Sequence, residues 1–317
     1  MPPFHPEKSS VYFTREISAE SLIRIYDAMG RHMRGNLAVK IETGHLGGPH
    51  HLKPTLVAPL IQRIHGTILE CCSAYNGESD AALPHWKEIE MYGFRAITPA
   101  HAMDALALPP SNPAHGIPLT KGHLGGHLGY YDAMLVLSHF KGHIVTGFGG
   151  ALKNLSLGVA PLHESRHQFV AEPFHDPDNP WKHQPKQYEL LKWLAKAGQE
   201  IVNDIGAENL LYINVANCLS VDCDCDATPE PPEMPDIGIF ASIDPVALDQ
   251  ACYDAVKYSP NSKKRALVHR MDSRHAEYIL EAAEELGIGS RSYKLVDLDS
   301  SAAENITVAA PVIHPNP

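Results

Sequence analysis

Apolar positions along the chain change period several times, and each change marks an element. After Ser18, a side chain suited to capping, Leu22, Ile25, Tyr26 and Met29 recur at helical spacing and predict a helix to about Met33. Gly35-Asn36 breaks that pattern, and Leu37–Ile41 reads as a short buried strand ending in the glycine- and histidine-rich run Thr43–His51. Pro54 then opens a helix predicted to reach about Glu70, with Pro59 near its first turn. Residues 75–118 keep no long period and read as short elements and loops. Asp132–Ser138 is the clearest buried strand, while the Pro- and His-rich residues 161–186 read as a long loop or boundary. Beyond it the pattern predicts a helix from Tyr188 to about Asn203, strands at Leu210–Val215 and Asp236–Ser242, and a helix from the Asp244-Pro245 cap pair to about Val256. A last helix over 273–286 and a strand at Tyr293–Val296 follow. This alternation predicts an α/β fold, with a mixed or mostly parallel sheet flanked by helices and room for two sub-domains across a cleft. The expected organisation is a half at 1–160, a linker or loop at 161–190 and a second half at 191–317.

Composition narrows the partners. Across 317 residues, 26 Lys and Arg oppose 37 Asp and Glu, a formal charge of −11, which speaks against nucleic acid or an anionic membrane as the main partner. The 44% of hydrophobic residues supplies a core and excludes wholesale disorder. No run reaches the roughly 18–20 apolar residues of a membrane span. Met1–Lys8 has no secretory pattern, so the expected location is the cytoplasm. There the six cysteines (71, 72, 218, 223, 225 and 252) would be thiols or metal ligands. Cys71, Cys72 and Cys252 read as core thiols.

Three constellations carry candidate chemistry. Lys141-x-His143 and Lys153-Asn154 bracket Gly147, Gly149 and Gly150 after the best strand, where α/β crevices open. The glycines allow close backbone approach to a ligand. A buried lysine there can hold a phosphate or carboxylate, or act as a nucleophile, and His143 can carry a proton. The alternative is a structural turn with two surface lysines. Cys223-Asp-Cys225, with Asp222, Asp224 and Asp226 interleaved, suits a soft or borderline cation such as zinc, copper or iron. The alternative there is an acidic surface loop. Histidines gather near the glycine loops (His45, His50, His51, His123, His127), and His163 and His167 stand four apart. Gly-His-Leu-Gly-Gly occurs at 44–48 and again at 122–126. No GxSxG elbow, P-loop, HExxH or dinucleotide fingerprint is present.

Lys40-Ile-Glu-Thr-Gly44, Leu137-Ser-His-Phe-Lys-Gly-His143, Gly147–Leu155, Cys223-Asp-Cys225 and Asp236–Gln250 together resemble an uncharacterised iron–sulfur centre protein family, domain of unknown function 362, over roughly residues 37–258. Members of that family commonly carry a ferredoxin-like cysteine insertion. Residues 168–190 of this chain have no cysteine, so such a cluster is not expected. His143 and Lys153 across Gly-Phe-Gly-Gly are also similar to a segment of nickel-pincer lactate racemases. That resemblance implies a lysine-linked cofactor nucleotide at Lys153, an acid/base histidine at His143, and nickel held further along by His163 or His167.

The leading expectation is a metal- or cofactor-dependent enzyme that moves a proton or hydride on a small anionic substrate. His143 would be the acid/base and Lys153 the anchor, Lys141 would add positive charge, and Gly147, Gly149, Gly150 and Asn154 would line the cofactor. Nickel, iron or zinc would sit on Cys223, Cys225, His163 and His167. The second expectation is a non-catalytic metal carrier or redox partner. A homodimer is left open.

Overall fold

The computed structural model describes residues 9–44, 48–70, 89–102, 130–159, 186–224, 226, 228–300 and 305–306. The predicted loop at 161–185 and most of 75–118 lie outside them, as do His45, Cys71, Cys72, His123, His127, His163, His167, Cys225 and the second Gly-His-Leu-Gly-Gly.

Eleven strands lie in the described residues: β1 (Ser9–Thr14), β2 (Leu37–Lys40), β3 (Thr67–Glu70), β4 (Ala100–Ala102), β5 (Ala133–His139), β6 (Lys141–His143), β7 (Gly147–Gly149), β8 (Leu210–Ala216), β9 (Gly238–Ser242), β10 (Tyr293–Asp297) and β11 (Asn305–Ile306). Nine of them form one sheet in the order β11-β10-β1-β9-β8-β5-β2-β3-β4. Only β9 and β11 run against the others, so the sheet is mixed but mostly parallel. Strands from both sides of residues 161–190 share this sheet, since β5 pairs in parallel with β8, and β1 lies between β9 and β10.

Seven helices of the described residues cover the sheet: α1 (Ala19–Ala28), α2 (Pro54–Arg63), α3 (Ala151–Ser156), α4 (Gln187–Ile205), α5 (Pro245–Lys257), α6 (Arg265–Ser273) and α7 (Glu277–Glu285). Alternation along the central strands sorts the core into two layers. Leu135, Leu137, Leu211 and Ile213 face α1 and α2, where Leu22, Ile25, Leu60 and Ile61 meet them. Met134, Val136, Leu210 and Tyr212 face the other layer, with Leu155, Leu194, Ile201 and Val246. All seven residues of β5 are buried, as a parallel strand covered on both faces requires.

Several boundaries differ from the sequence pattern, each for a local reason. The first helix ends at Ala28 rather than Met33, because Gly30 turns into the left-handed region at φ +64°. The helix from Pro54 stops at Arg63 instead of Glu70. Gly66 follows, and the apolar run Thr67–Glu70 forms β3, pairing with β2. Pro59 lies inside this helix rather than in its first turn. The last predicted helix, 273–286, forms as α7 and starts only at Glu277, because His275, with a φ of +50°, separates it from α6, which ends at Ser273. β1, β4, β6, β7, β11, α3 and α6 have no counterpart in the predicted elements.

The strand order reverses direction of growth at one place. From β2 the chain builds outward through β3 and β4, then returns to lay β5 on the other side of β2 and continues to β8. A crevice opens beyond the carboxyl ends of strands at such a switch point, because the connections leave in opposite directions.

Candidate functional site

β2, β3 and β5 end in polar or charged residues after a largely apolar run, while β8 carries Asn214 within it. β2 ends at Lys40 and is followed by Glu42, β3 ends at Glu70, β5 ends at Ser138-His139, and β8 runs into Asn217. The strand ends thus bring charge together where no single segment would. Lys141 and His143 stand two apart on β6 and share a face, and β6 folds back on β7, pairing Lys141 with Gly149 and His143 with Gly147. The turn then enters α3, which carries Lys153 and Asn154.

Glu42 is the hub. Its Oε2 lies 2.9 Å from Lys153 Nζ and 3.8 Å from Lys141 Nζ, and its Oε1 accepts from Cys223 Sγ at 3.3 Å. Burial opposes ionisation of Glu42, yet Lys153, Lys141 and Lys40 outweigh it and hold its carboxyl well below the usual range. Asp224 behaves alike: burial pushes its pKa up, but His139 and Lys141 prevail and lower it. Lys141 is 1% exposed. Burial disfavours its charge, but Asp224, Cys223 and Glu42 reverse the balance, so it stays an ammonium, with its pKa raised. Desolvation therefore does not turn Lys141 into a neutral amine nucleophile. Its contacts with Asp224 and Glu42, at 3.5 and 3.8 Å, are longer than the 2.7–3.2 Å of an N–H···O hydrogen bond.

The two histidines near the lysines have opposite characters. His139 Nδ1 meets Asp224 Oδ2 at 2.8 Å, and its Nε2 meets the Asn217 carbonyl at 2.6 Å. Both of its ring nitrogens therefore face oxygen acceptors. His143 Nδ1 instead accepts the backbone N–H groups of Val145 and Thr146, each at 3.2 Å. Its proton is therefore on Nε2, the nitrogen left for its hydrogen bond with Cys223. Burial lowers the His143 pKa more than Cys223 raises it, which keeps the ring neutral. With Nδ1 occupied and Nε2 protonated, His143 is a hydrogen-bond donor to Cys223 rather than a proton acceptor.

Backbone packing fixes this arrangement. Gly142 donates its N–H to Ser220 O at 2.8 Å, and a Cβ there would stand 2.3 Å from Val221 O, so only glycine lets β6 lie against the cysteine loop. Gly150 plays a similar part for Asp249 of α5: a Cβ would fall 2.5 Å from Asp249 Oδ1. That carboxylate takes the N–H groups of Ala151 and Leu152 at 2.8 and 2.9 Å and clamps the start of α3. These two N–H groups thus serve an internal carboxylate. Asn154 Nδ2 donates to Ser138 Oγ at 2.7 Å, which ties α3 to β5. Deeper in, Lys40 and Glu70 form a 3.4 Å pair with both side chains nearly fully buried, and Glu70 Oε2 accepts the Thr43 N–H at 2.6 Å.

The structure therefore joins Lys141, His143, Lys153 and Cys223. It adds Glu42, Asp224, His139, Lys40 and Glu70, which the sequence reading did not single out as site residues. The available signal was a charged residue ending an otherwise apolar strand, as in Leu-Ala-Val-Lys40 and Thr-Ile-Leu-Glu70. Cys225, His163 and His167, the other expected metal ligands, lie outside the described residues. Among the described residues, no group of three or more His, Cys, Asp or Glu is placed to hold a metal ion. Cys218, at the end of β8, is half-buried at a strained φ of +44°, and burial and Asp236 push its thiol pKa up. His51 is used structurally, with Nδ1 on Gly48 O and its ring 4.2 Å from that of Tyr92. No helix of the described residues is long and apolar enough to cross a membrane.

Known proteins add a family and one likeness. No curated protein gives a significant match. A crystal structure of a protein from Thermotoga maritima is similar with a TM-score of 0.36 and 15% identity, covering 84% of this chain and 58% of that one. This chain thus spans little more than half of that protein's length. The family model for a domain of unknown function, DUF362, matches residues 37–254, which hold every member of the Glu42 cluster, and the chain belongs to that family.

Proposed function

We propose that this protein is an enzyme that binds a small organic anion at the switch-point crevice and moves a proton on it. The observation that carries the reading is the convergence of two ammonium groups, Lys141 and Lys153, on the single carboxylate of Glu42 beside the Cys223 sulfur. The two ammonium groups, with one carboxylate oxygen of Glu42 shared between them, are what a bound anion would approach. The anion and Glu42 would compete for the same ammonium groups. As Glu42 loses these partners its basicity rises toward the ordinary carboxylate range, which makes it the proton acceptor only when substrate is present. His143 Nε2–H would donate to the developing charge, and a well-placed acid–base group contributes roughly 10²–10⁴-fold in rate.

A nickel-pincer group or other metal would need more than the described residues supply. They hold no three-ligand set, and Lys153 is ion-paired with Glu42.

The test is solvent exchange. Small carboxylic acids bearing an acidic C–H, incubated with the protein in heavy water, should lose that proton signal in NMR spectra. Exchange should vanish in Lys153→Met when it is assayed well below its own unfolding transition. Exchange that survives in Lys153→Met would overturn the reading. Absence of exchange with every acid, together with a metal released at mild acidity, would favour a carrier instead.

A further inference from the structure

We infer that Cys223 is a covalent nucleophile, capturing the carbonyl carbon of a small oxo acid as a reversible thiohemiacetal. The inference rests on the proposed anion site for the class of ligand, and on the sulfur's own neighbours for its reactivity.

Those neighbours supply the parts that thiol addition requires. Glu42 Oε1, 3.3 Å from Sγ, is an acceptor for the thiol proton, and Glu42 is itself oriented by Lys153 at 2.9 Å. His143, its Nδ1 engaged by two backbone N–H groups, directs its remaining N–H at the cysteine. The Lys141 ammonium, 1% exposed and at long distance from both carboxylates it faces, offers positive charge to an additional oxygen. The other described cysteines lack such a setting. Cys223 keeps 4% of its surface exposed where Cys252 has none, and burial raises the Cys252 pKa well above the usual thiol value.

In the step, the sulfur lone pair forms an S–C bond to the carbonyl carbon and the C=O π pair moves onto oxygen. The thiol proton passes to Glu42 Oε1 and returns from there to the new oxyanion, which Lys141 stabilises meanwhile. No oxidant or leaving group is needed, and the reverse path releases the acid unchanged. The substrate's carboxylate would be held toward Lys153.

Alkylation of the intact protein, followed by peptide mass spectrometry, separates this idea from the anion site beneath it. Iodoacetate should label Cys223 at least about tenfold faster than Cys218. At Cys223 it should also outrun neutral iodoacetamide, reversing the order at Cys218. Glyoxylate should protect Cys223 at lower concentration than acetate does, because only glyoxylate can add to sulfur. Labelling of Cys223 no faster than of Cys252 would overturn the inference, and so would equal protection by acetate and glyoxylate. Fast labelling without preference for the anionic reagent, but with selective glyoxylate protection, would keep the nucleophile and remove the anion site. Wild-type protein suffices for each comparison; Glu42→Gln should further slow labelling of Cys223.

Discussion

Asp249 offers the sharpest test of how the fold holds its site. Its carboxylate is fully buried and bonded to two backbone N–H groups of α3 and to Asn214 Nδ2 at 2.7 Å. Burial nevertheless pushes its pKa up, to about 6 from an ordinary 3.8, because the three neutral donors recover only part of the lost hydration. The sign of the consequence is opposite to that of an ion-paired carboxylate. The folded state holds the Asp249 proton more tightly than the unfolded chain does. Protonation therefore stabilises the fold fully below about pH 3.8, and the benefit is lost as pH rises through about 6. Between about pH 7 and pH 4.5 these values give wild type a gain of about 2 kcal/mol relative to Asp249→Asn, which has no proton to take up. Urea denaturation of both proteins across that range, read as the difference between them, cancels the other titrating groups. A difference that stays flat, or shifts in favour of Asp249→Asn as pH falls, would refute the account of a solvation-starved clamp.

Other outcomes follow from the same geometry. Glu42 is held below its ordinary range, so its contribution is present at neutral pH and lost as pH falls through its depressed pKa. Glu42→Gln should accordingly flatten part of the acid limb of a stability–pH curve measured by urea denaturation. Lys141→Met removes the buried ammonium between Asp224 and Glu42, which keep His139 and Lys153 as partners, and should cost at most about 3–5 kcal/mol in chemical denaturation at neutral pH, less near pH 4. Gly142→Ala drives a methyl group into the Val221 carbonyl and should lower stability by about 1–3 kcal/mol, whereas Gly30→Ala, with open space around it, loses only the cost of its positive φ. Comparable losses for the two glycine variants in thermal melts would count against the packing of β6 on the cysteine loop.

The sequence by itself determined much of the scaffold. The unbroken apolar run of β5, the Asp244-Pro245 cap of α5 and the 3.6-residue period of α4 are local facts. Each has one low-energy reading whatever surrounds it, and each element formed within a few residues of its predicted place. Where two readings compete locally, sequence reasoning failed: Thr67–Glu70 suits a helix end as well as a strand, and only pairing with β2 makes it β3. The proximity of Lys141 and His143 was legible too, since the period of a strand puts them on one face.

Only tertiary structure decided what that face looks at. Glu42, Glu70, His139 and Asp224 come from separate strand ends and the cysteine loop, and nothing in their local sequence signals a shared centre. The parallel order β8-β5-β2-β3 lays these ends side by side. Burial there removes water, so the charges must answer one another instead of solvent. This mutual compensation keeps Lys141 charged where burial alone would have neutralised it. The neutrality of His143 was equally beyond the sequence, because it depends on where two backbone N–H groups of the following turn point. Chain chemistry supplied the groups, and the closing of the sheet set their protonation.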